Sequence, residues 1–391
     1  MAGVQNTATL VTALRGVDTL GDETRRTRDV SPALAQLQPD AGPLTTLLSK
    51  TRSKACTDPK FEWFEHDLKP RFDVVKTALS TTDGTTFVVT NYKRFRAGDV
   101  IMVNKKERMR VTTTPSSTSV TVQRGYGSTA AATAAVGDQI KILYNSCEEG
   151  AAKRSLLSAQ RVPKYNYCGI IRDPFGITKT AMATKAFAGM DFTTEQATEL
   201  IEHKKNIEQM HLEGERYEDT TGTKPKRASM GIDGWIETFV KAVNGNLTEA
   251  ALDSHLRVSF RFGQKVKLGL CSPIAAQAIN GFAKENLRVV EKSASYGITL
   301  SRYENAGRVL LLAEHSLMTN DDLNDFSGIA GEMLIIDLED VEQRYLNGRL
   351  TIHNENIQAP DEDQRTDEYL SEVGLEVHLE KKHGKLTGIT G

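Results

Sequence analysis

The chain has 391 residues, 39% of them hydrophobic and 6% aromatic, with 49 Lys plus Arg against 51 Asp plus Glu and a formal net charge of −2. That length predicts about two to three domains. No apolar run approaches the roughly 20 residues that span a bilayer, and the opening MAGVQNTATLVTALRGVDTLGDETRRTRD lacks a signal layout, so the reading excludes membrane and secreted proteins. The balanced charge gives no overall basic field to hold nucleic acid. Cys56, Cys147, Cys168 and Cys271 form no CxxC pair, which excludes a zinc site and predicts small buried hydrophobes in a reducing compartment.

Residues 1–30 mix Thr, Ala, Gly and charge without a period of 3.6 or 2 and read as an extended arm. Ser31-Pro32 opens a short helix with Ser as cap and Pro first, and Pro43–Leu48 is another. FEWFEHDL at Phe61–Leu68 alternates and is aromatic, as a strand does. Residues 76–145 are a Thr- and Val-rich block with five expected strands: Thr86–Thr90, Asp99–Val103, Arg108–Thr112, Ser119–Gln123 and Gln139–Tyr144. AGDVI and VGDQI each place Gly-Asp before an apolar strand, which suggests a compact small barrel or sandwich. RVPKYNYCGIIRDPFGITKT then resumes the host fold and is expected to pair with Phe61–Leu68, leaving the block at the tip of a long hairpin.

Thr193 to Gln196 has a capping-box pattern, with Thr193 as N-cap, heading a helix expected over 193–219. Its stripe, Leu200, His203, Ile207, Met210, Gly214 and Tyr217, is narrow, so one side packs and the rest is exposed. GWIETFVKAV, LTEAALDSHLRVSFRF and SPIAAQAINGFAKENL, the last capped by Ser272, read as helices. KVKLGL, EMLIIDL and VGLEVHLEKKHGKLTGI read as strands, and ITLSRYENAGRVLLLAE as two strands around Asn305-Ala306-Gly307. Together these predict an α+β body rather than a parallel α/β repeat.

No catalytic, cofactor-binding or metal site emerges from the pattern. There is no phosphate-binding Gly-rich loop with Lys, and no GxSxG. RGYGS at Arg124–Ser128 lies between strands and reads as a turn. His203 and His211 are eight apart, the wrong spacing for a metal pair on one helical face; His203 reads as a stripe residue and His211 as a surface contact near Glu215. The acidic run Asp361–Glu368 reads as a solvated loop, with an alternative as an acidic surface for a neighbour's Lys224, Lys226 and Arg227. Arg25, Arg26 and Arg28 are interspersed with Asp22, Glu23 and Asp29, which argues against a specific nucleic-acid site. Trp63 and Phe64 read as packing residues rather than a stacking platform. What survives is an arm, a long hairpin with an insertion and a long exposed helix, all features that neighbours stabilise.

In their order, VSPALAQLQPDAGPLTTLLSK before FEWFEHDL, the AGDVIMV to VGDQIKIL block and the terminal LEVHLEKKHGKLTGI carry a resemblance. The chain resembles the tailed-bacteriophage major capsid proteins of the Hong Kong 97-type fold, in the branch with a β-rich insertion in the extended loop. The resemblance implies an N-terminal arm at 1–50 and an extended loop at 51–180 with the β module at about 76–145. It implies a peripheral domain at 181–240 and 351–391 with spine helix 193–219, and an axial domain at 241–350. It implies hexamers and pentamers that form an icosahedral shell around double-stranded DNA in the virion, assembled in the host cytoplasm, with only non-specific proximity to that DNA. A separate scaffolding protein or none, a portal, a shell without covalent crosslinks and a surface with or without decoration proteins are expected, with no cofactor and no enzymatic activity. An encapsulin-type nanocompartment shell is the alternative with the same fold, and a soluble hydrolase is a remote one.

Overall fold

The computed structural model describes residues 43–184, 192–285, 292–295, 298–305, 307–319 and 327–390. The expected arm up to residue 42, the Ser31-Pro32 helix start and the Arg25, Arg26, Arg28 triplet lie outside the described residues. Two compact units make up the chain, Glu62–Tyr165 and the combination of Met1–Phe61 with Asn166–Gly391.

In the first unit, six short strands form one antiparallel sheet. Their spatial order is Phe72–Val74, Gln139–Asn145, Asp99–Val103, Glu107–Val111, Ser119–Gln123 and Thr86–Val88. A bridge between Val75 and Val89, with Lys76 N–H donating to Val88 O at 2.9 Å, joins the two edges and closes the sheet into a small barrel. Closure removes the unpaired edges that would otherwise invite foreign strands. The Glu107–Val111 strand turns Glu107, Met109 and Val111 inward. With Phe87, Phe95, Ile101, Val120 and Ile140 they make a core confined to this unit.

The repeated Gly-Asp pattern has a structural cause. Asp99 accepts the N–H of Arg96 at 2.8 Å and Asp138 that of Ala135 at 2.8 Å. Gly98 and Gly137 hold the intervening positive φ of 80° and 91°. Both are turns in which only glycine passes without strain and the aspartate ties the turn to the strand that follows.

The second unit carries two larger sheets. A seven-stranded sheet runs Val240–Gly245, Gly384–Ile389, Met333–Ile336, Val266–Cys271, Arg308–Glu314, Ile298–Asn305 and Lys292–Ser295, with Glu249–Ser259 and Pro273–Glu285 as its helices. Leu252, Leu256, Ile279, Leu310, Ile335 and Leu386 share its core. The other sheet orders Ser53–Cys56, Val341–Leu346, Gln364–Val377 and Gly169–Thr178, with Ile352–Asn354 added to the long third strand. The strands Lys60–Glu65 and Val162–Tyr167 pair with each other where the chain enters and leaves the first unit, as the two aromatic stretches predict.

Four expectations need correction. The long helix runs Phe192–Glu213, so Thr193 lies in its first turn, where an N–H needs no intrahelical partner, rather than at the cap. It stops before 219: Gly214 ends it at a close approach to Ser229 and Gly231 where a Cβ would sit 2.4 Å from Met210 O and Ser229 O, and Tyr217–Asp219 instead pairs with Lys226–Ala228. GWIETFVKAV is helical only at Gly234 and Trp235, the end of the short helix Ile232–Trp235; Val240–Gly245 is a strand, because parallel pairing with Gly384–Ile389 outweighs local helical period. The acidic run is solvated only at Asp361–Asp363, and from Gln364 it enters the long strand, where Asp367 and Glu368 are buried.

Candidate functional site

The strand Gln364–Val377 sets four carboxylates in a buried sheet, and each has a cation beside it. Asp367 meets Arg365 at 2.9 Å and His353 at 3.1 Å, and Glu368 takes a forked pair from Arg172 at 2.6 and 3.0 Å. Glu372 meets Arg349 at 2.8 Å, while Glu376 binds Arg344 and, at 2.8 Å, His378. Burial alone would raise these carboxyl groups, yet the hydrogen bonds and charge of their partners hold Asp367, Glu368 and Glu376 below the ordinary carboxylate range. Such pairs fix the register of the sheet, since a slip would leave buried charges uncompensated.

The long helix crosses this sheet through polar contacts rather than a purely apolar stripe. His203 is wholly buried, with Nδ1 2.5 Å from Asp173 Oδ2 and Nε2 2.7 Å from Ser371 Oγ. Asn206 donates to the same Asp173 at 3.1 Å. Five residues on from His203, Glu208 is completely buried and accepts the N–H groups of Leu44 at 2.8 Å and Thr45 at 2.7 Å, the Thr45 hydroxyl at 2.5 Å and a hydrogen bond from His315 Nε2 at 2.6 Å. It thereby satisfies the free amides at the start of helix Pro43–Thr51 and places a negative charge at the positive end of that helix. Desolvation would raise Glu208, but His315 and Thr45 hold it below its ordinary value. His211 is buried beside Thr45, not on the surface near Glu215; burial pushes it down to about 4 and keeps it neutral, and its Nε2 has no partner. The long helix is thus the post on which the segment leading in from the N-terminal region is fastened.

The remaining expected residues fall in separate places. Arg124 of the RGYGS turn donates to Glu107 from Nε at 2.9 Å and Nη2 at 2.7 Å. Trp63 is buried while Phe64 is 67% exposed. Arg227 is engaged by Glu218 at 2.9 Å, and Lys224 and Lys226 are exposed. Cys56, Cys168 and Cys271 are buried as expected, with burial pushing Cys271 up to about 12, but Cys147 is exposed because it follows the last barrel strand in a loop. Glu342, Glu376 and His378 converge closely enough to hold an ion, yet Arg344 reaches both glutamates and already supplies the positive charge. Glu208, His315 and the ion-paired strand were not singled out from the sequence. Glu208 had a signal: it adjoins Ile207 and sits four before Leu212 on the buried face, where a carboxylate demands partners.

The exposed apolar side chains show where more burial is wanted. In the first unit Leu68 is 89% and Leu156 98% exposed, and in the second Ile170, Met182 and Tyr217 are about half exposed. Among the described residues, no helix is long and apolar enough to cross a membrane.

Comparison with known proteins gives these features a context. The SU10 major capsid protein family matches residues 4–390. The major capsid protein of Pseudomonas phage PaMx41 is 23% identical over 323 residues, covering 78% of this chain and 74% of that protein. Among solved structures, the capsid of a native GTA particle aligns at a TM-score of 0.49 with 10% identity, over 97% of this chain and 100% of the other. The SrpI encapsulin of Synechococcus elongatus PCC 7942 aligns at 0.43 with 10% identity, over 59% of this chain and 78% of that one. The α+β body, the paired strands leading to an all-β insertion and the long helix are the parts expected of a Hong Kong 97-type chain. With its family spanning the sequence almost end to end, the chain belongs to the SU10 major capsid proteins: it is a phage capsid protein, a self-associating component of the virion.

Proposed function

We propose that the protein builds an icosahedral head shell from hexamers and pentamers around double-stranded DNA, as a structural protein with no catalytic, cofactor-binding or metal site. The observation that carries this reading is the family match over residues 4–390, since it takes in the arm, the insertion and both sheets together. Residues 1–50 act as the arm, 51–180 as the extended loop, 181–240 with 351–391 as the peripheral domain and 241–350 as the axial domain. The exposed Phe64, Leu68 and Leu156 of the loop are covered by neighbouring copies, because a soluble monomer gains nothing by leaving such side chains in water. Interfaces of this obligate kind bury on the order of 2,000 Å² or more. Assembly takes place in the host cytoplasm, with separate scaffolding and portal proteins, and the shell closes without covalent crosslinks.

The test is removal of residues 1–42, which leaves helix Pro43–Thr51 on Glu208, followed by sedimentation velocity. The full chain is expected to give capsomers and shells and the truncated chain to stop at small species. Shells of equal yield and stability from the truncated chain would overturn the role of the arm.

A further inference from the structure

The near-neutral charge of the whole chain conceals a division. Residues 70–146 hold eleven of the 49 basic residues and only five of the 51 acidic ones, so the rest of the chain carries 38 against 46. Three of the five acids are buried and neutralised inside the barrel: Asp73 faces Arg94 at 3.7 Å, Asp99 meets Arg154 at 2.5 Å and Glu107 meets Arg124 at 2.7 Å. A fourth, Asp138, is tied to Asn104 at 3.0 Å and to Ala135 N–H. Asp73 and Glu107 cancel Arg94 and Arg124 of the same segment, which leaves nine basic residues against three acidic ones and a net basic outside.

The strand register puts this charge on one face. Phe72 lies opposite Lys141, Lys141 opposite Met102 and Met102 opposite Arg108, so these four side chains form a row across four strands on the outer side. Lys105 and Lys106 stand in the tight turn at the end of that row, and Arg71 adjoins Phe72. Arg71, Lys105, Lys106, Arg108 and Lys141 are all exposed and none has a carboxylate partner among the described residues; Phe72 is 47% exposed. Unpaired cations around an exposed aromatic ring fit an acidic surface with an apolar centre.

The chain itself displays such a surface. Between 355 and 363 it has Glu355, Asp361, Glu362 and Asp363 and no Lys or Arg; all four carboxylates are exposed, Glu355 lies 3.6 Å from Arg365 and Asp363 3.3 Å from Lys179, Asp361 and Glu362 have no cation beside them among the described residues, and Ile357 is 42% exposed. We propose that the basic outer face of the barrel docks on the acidic turn at 355–363 of a second copy of the chain. Resting on the capsid reading, this assigns the insertion a role: it is a charged clamp between subunits. The basic patch expected at Lys224, Lys226 and Arg227 is the poorer partner, since Glu218 already holds Arg227. Contacts among exposed charges are individually weak but repeat with every copy of the shell, and they set the register of association more than its strength.

A charge swap in the full chain tests this. The variant Lys105→Glu, Lys106→Glu, Arg108→Glu and the variant Asp361→Lys, Glu362→Lys, Asp363→Lys are each expected to lower the yield of sedimenting particles about tenfold at about 0.1 M salt, where charges remain coupled over some 10 Å. Combined in one chain, the two sets restore the yield, while the unfolding midpoint of the unassembled protein is unchanged in all three. A combined variant no better than either alone, or a normal yield from the acidic-turn variant, overturns the proposal. So does loss of binding to a 30-base-pair duplex in the basic-face variant without rescue, since that result assigns the face to nucleic acid. If the wild-type chain forms no particles, the capsid reading itself fails; if wild-type particles form and ignore both substitutions, only the docking fails.

Discussion

Replacing Glu107 by Gln removes one negative charge from the barrel without changing its volume. In the native barrel both carboxylate oxygens are fully used: Oε1 accepts Arg124 Nε at 2.9 Å and Gly125 N–H at 2.8 Å, and Oε2 accepts Arg124 Nη2 at 2.7 Å and Ala132 N–H at 2.8 Å. An amide has one acceptor oxygen, so its NH₂ group must face two of these donors. The change strands the buried guanidinium, and breaking a buried pair of this kind costs about 3–5 kcal/mol. At 1.4 kcal/mol per tenfold, the lower bound is roughly a hundredfold in the opening equilibrium. Hydrogen exchange of the unassembled full chain reads this locally: amides of Glu107–Val111 and Ser119–Gln123 should lose about a hundredfold in protection, while those of Met333–Ile336 in the other unit keep theirs. Burial pushes Glu107 up, but Arg124 and the amides of Ala132 and Gly125 hold it below its ordinary value. Its contribution is therefore present above the unfolded carboxylate pKa and is lost as pH falls through the lower folded value, so acid should reproduce the variant. The double variant Glu107→Gln, Arg124→Met should cost clearly less than the sum of the singles. A single-variant loss below about 1 kcal/mol would refute the claim that this pair organises the barrel.

Three further outcomes follow from the second unit. Glu208→Ala, which strips two helix-start amides and His315 of their acceptor, should destabilise that unit by about 3–5 kcal/mol and raise proteolysis near residues 43–51, as limited trypsin digestion would report. His211, His255 and His383 are buried and held down to about 4, so each takes up a proton on unfolding as pH falls from 6.5, while Glu332, pushed up to about 7, releases one. The net proton uptake predicts that stability drops as pH falls from 6.5 to 5, on the order of 2–3 kcal/mol per pH unit; urea titrations in which stability stays flat or rises as pH falls over that range would contradict these assignments. Cys56 and Cys168 have sulfurs 3.4 Å apart but burial raises both thiols, so a disulfide reagent should modify exposed Cys147 first, link this pair more slowly and leave Cys271 reduced, as time-resolved peptide mass mapping would show.

Much of the fold is legible in the sequence where local chemistry and tertiary pairing agree. Five of the six barrel strands fall within a residue or two of their alternating runs because each is half buried and two of them follow Gly-Asp turns, whereas Phe72–Val74 lies before the expected block and is too short to alternate legibly. Ser272 caps Pro273–Glu285 as its position demands, with Ala275 N–H 3.3 Å from its hydroxyl. Legibility fails where distant partners decide. Asp367 and Glu368 read as solvated because nothing near them in sequence announces that Arg172, nearly two hundred residues away, will share the sheet. Lys267 is another case: Val266–Cys271 reads as a strand, but that its ammonium would be buried against the carbonyls of Ser259, Phe262 and Lys382 at 2.7, 2.9 and 2.5 Å depends on two segments, the end of the preceding helix and a turn 115 residues on. The charge division followed the same rule, since a total of −2 averages a basic barrel with an acidic remainder.

Cryo-electron microscopy of the purified full chain tests the central claim most directly. The account predicts closed shells whose class averages show fivefold and sixfold clusters of a single subunit type, with the density of each barrel against a neighbouring copy. A protein that stays monomeric or in small oligomers at every concentration and ionic strength would contradict it.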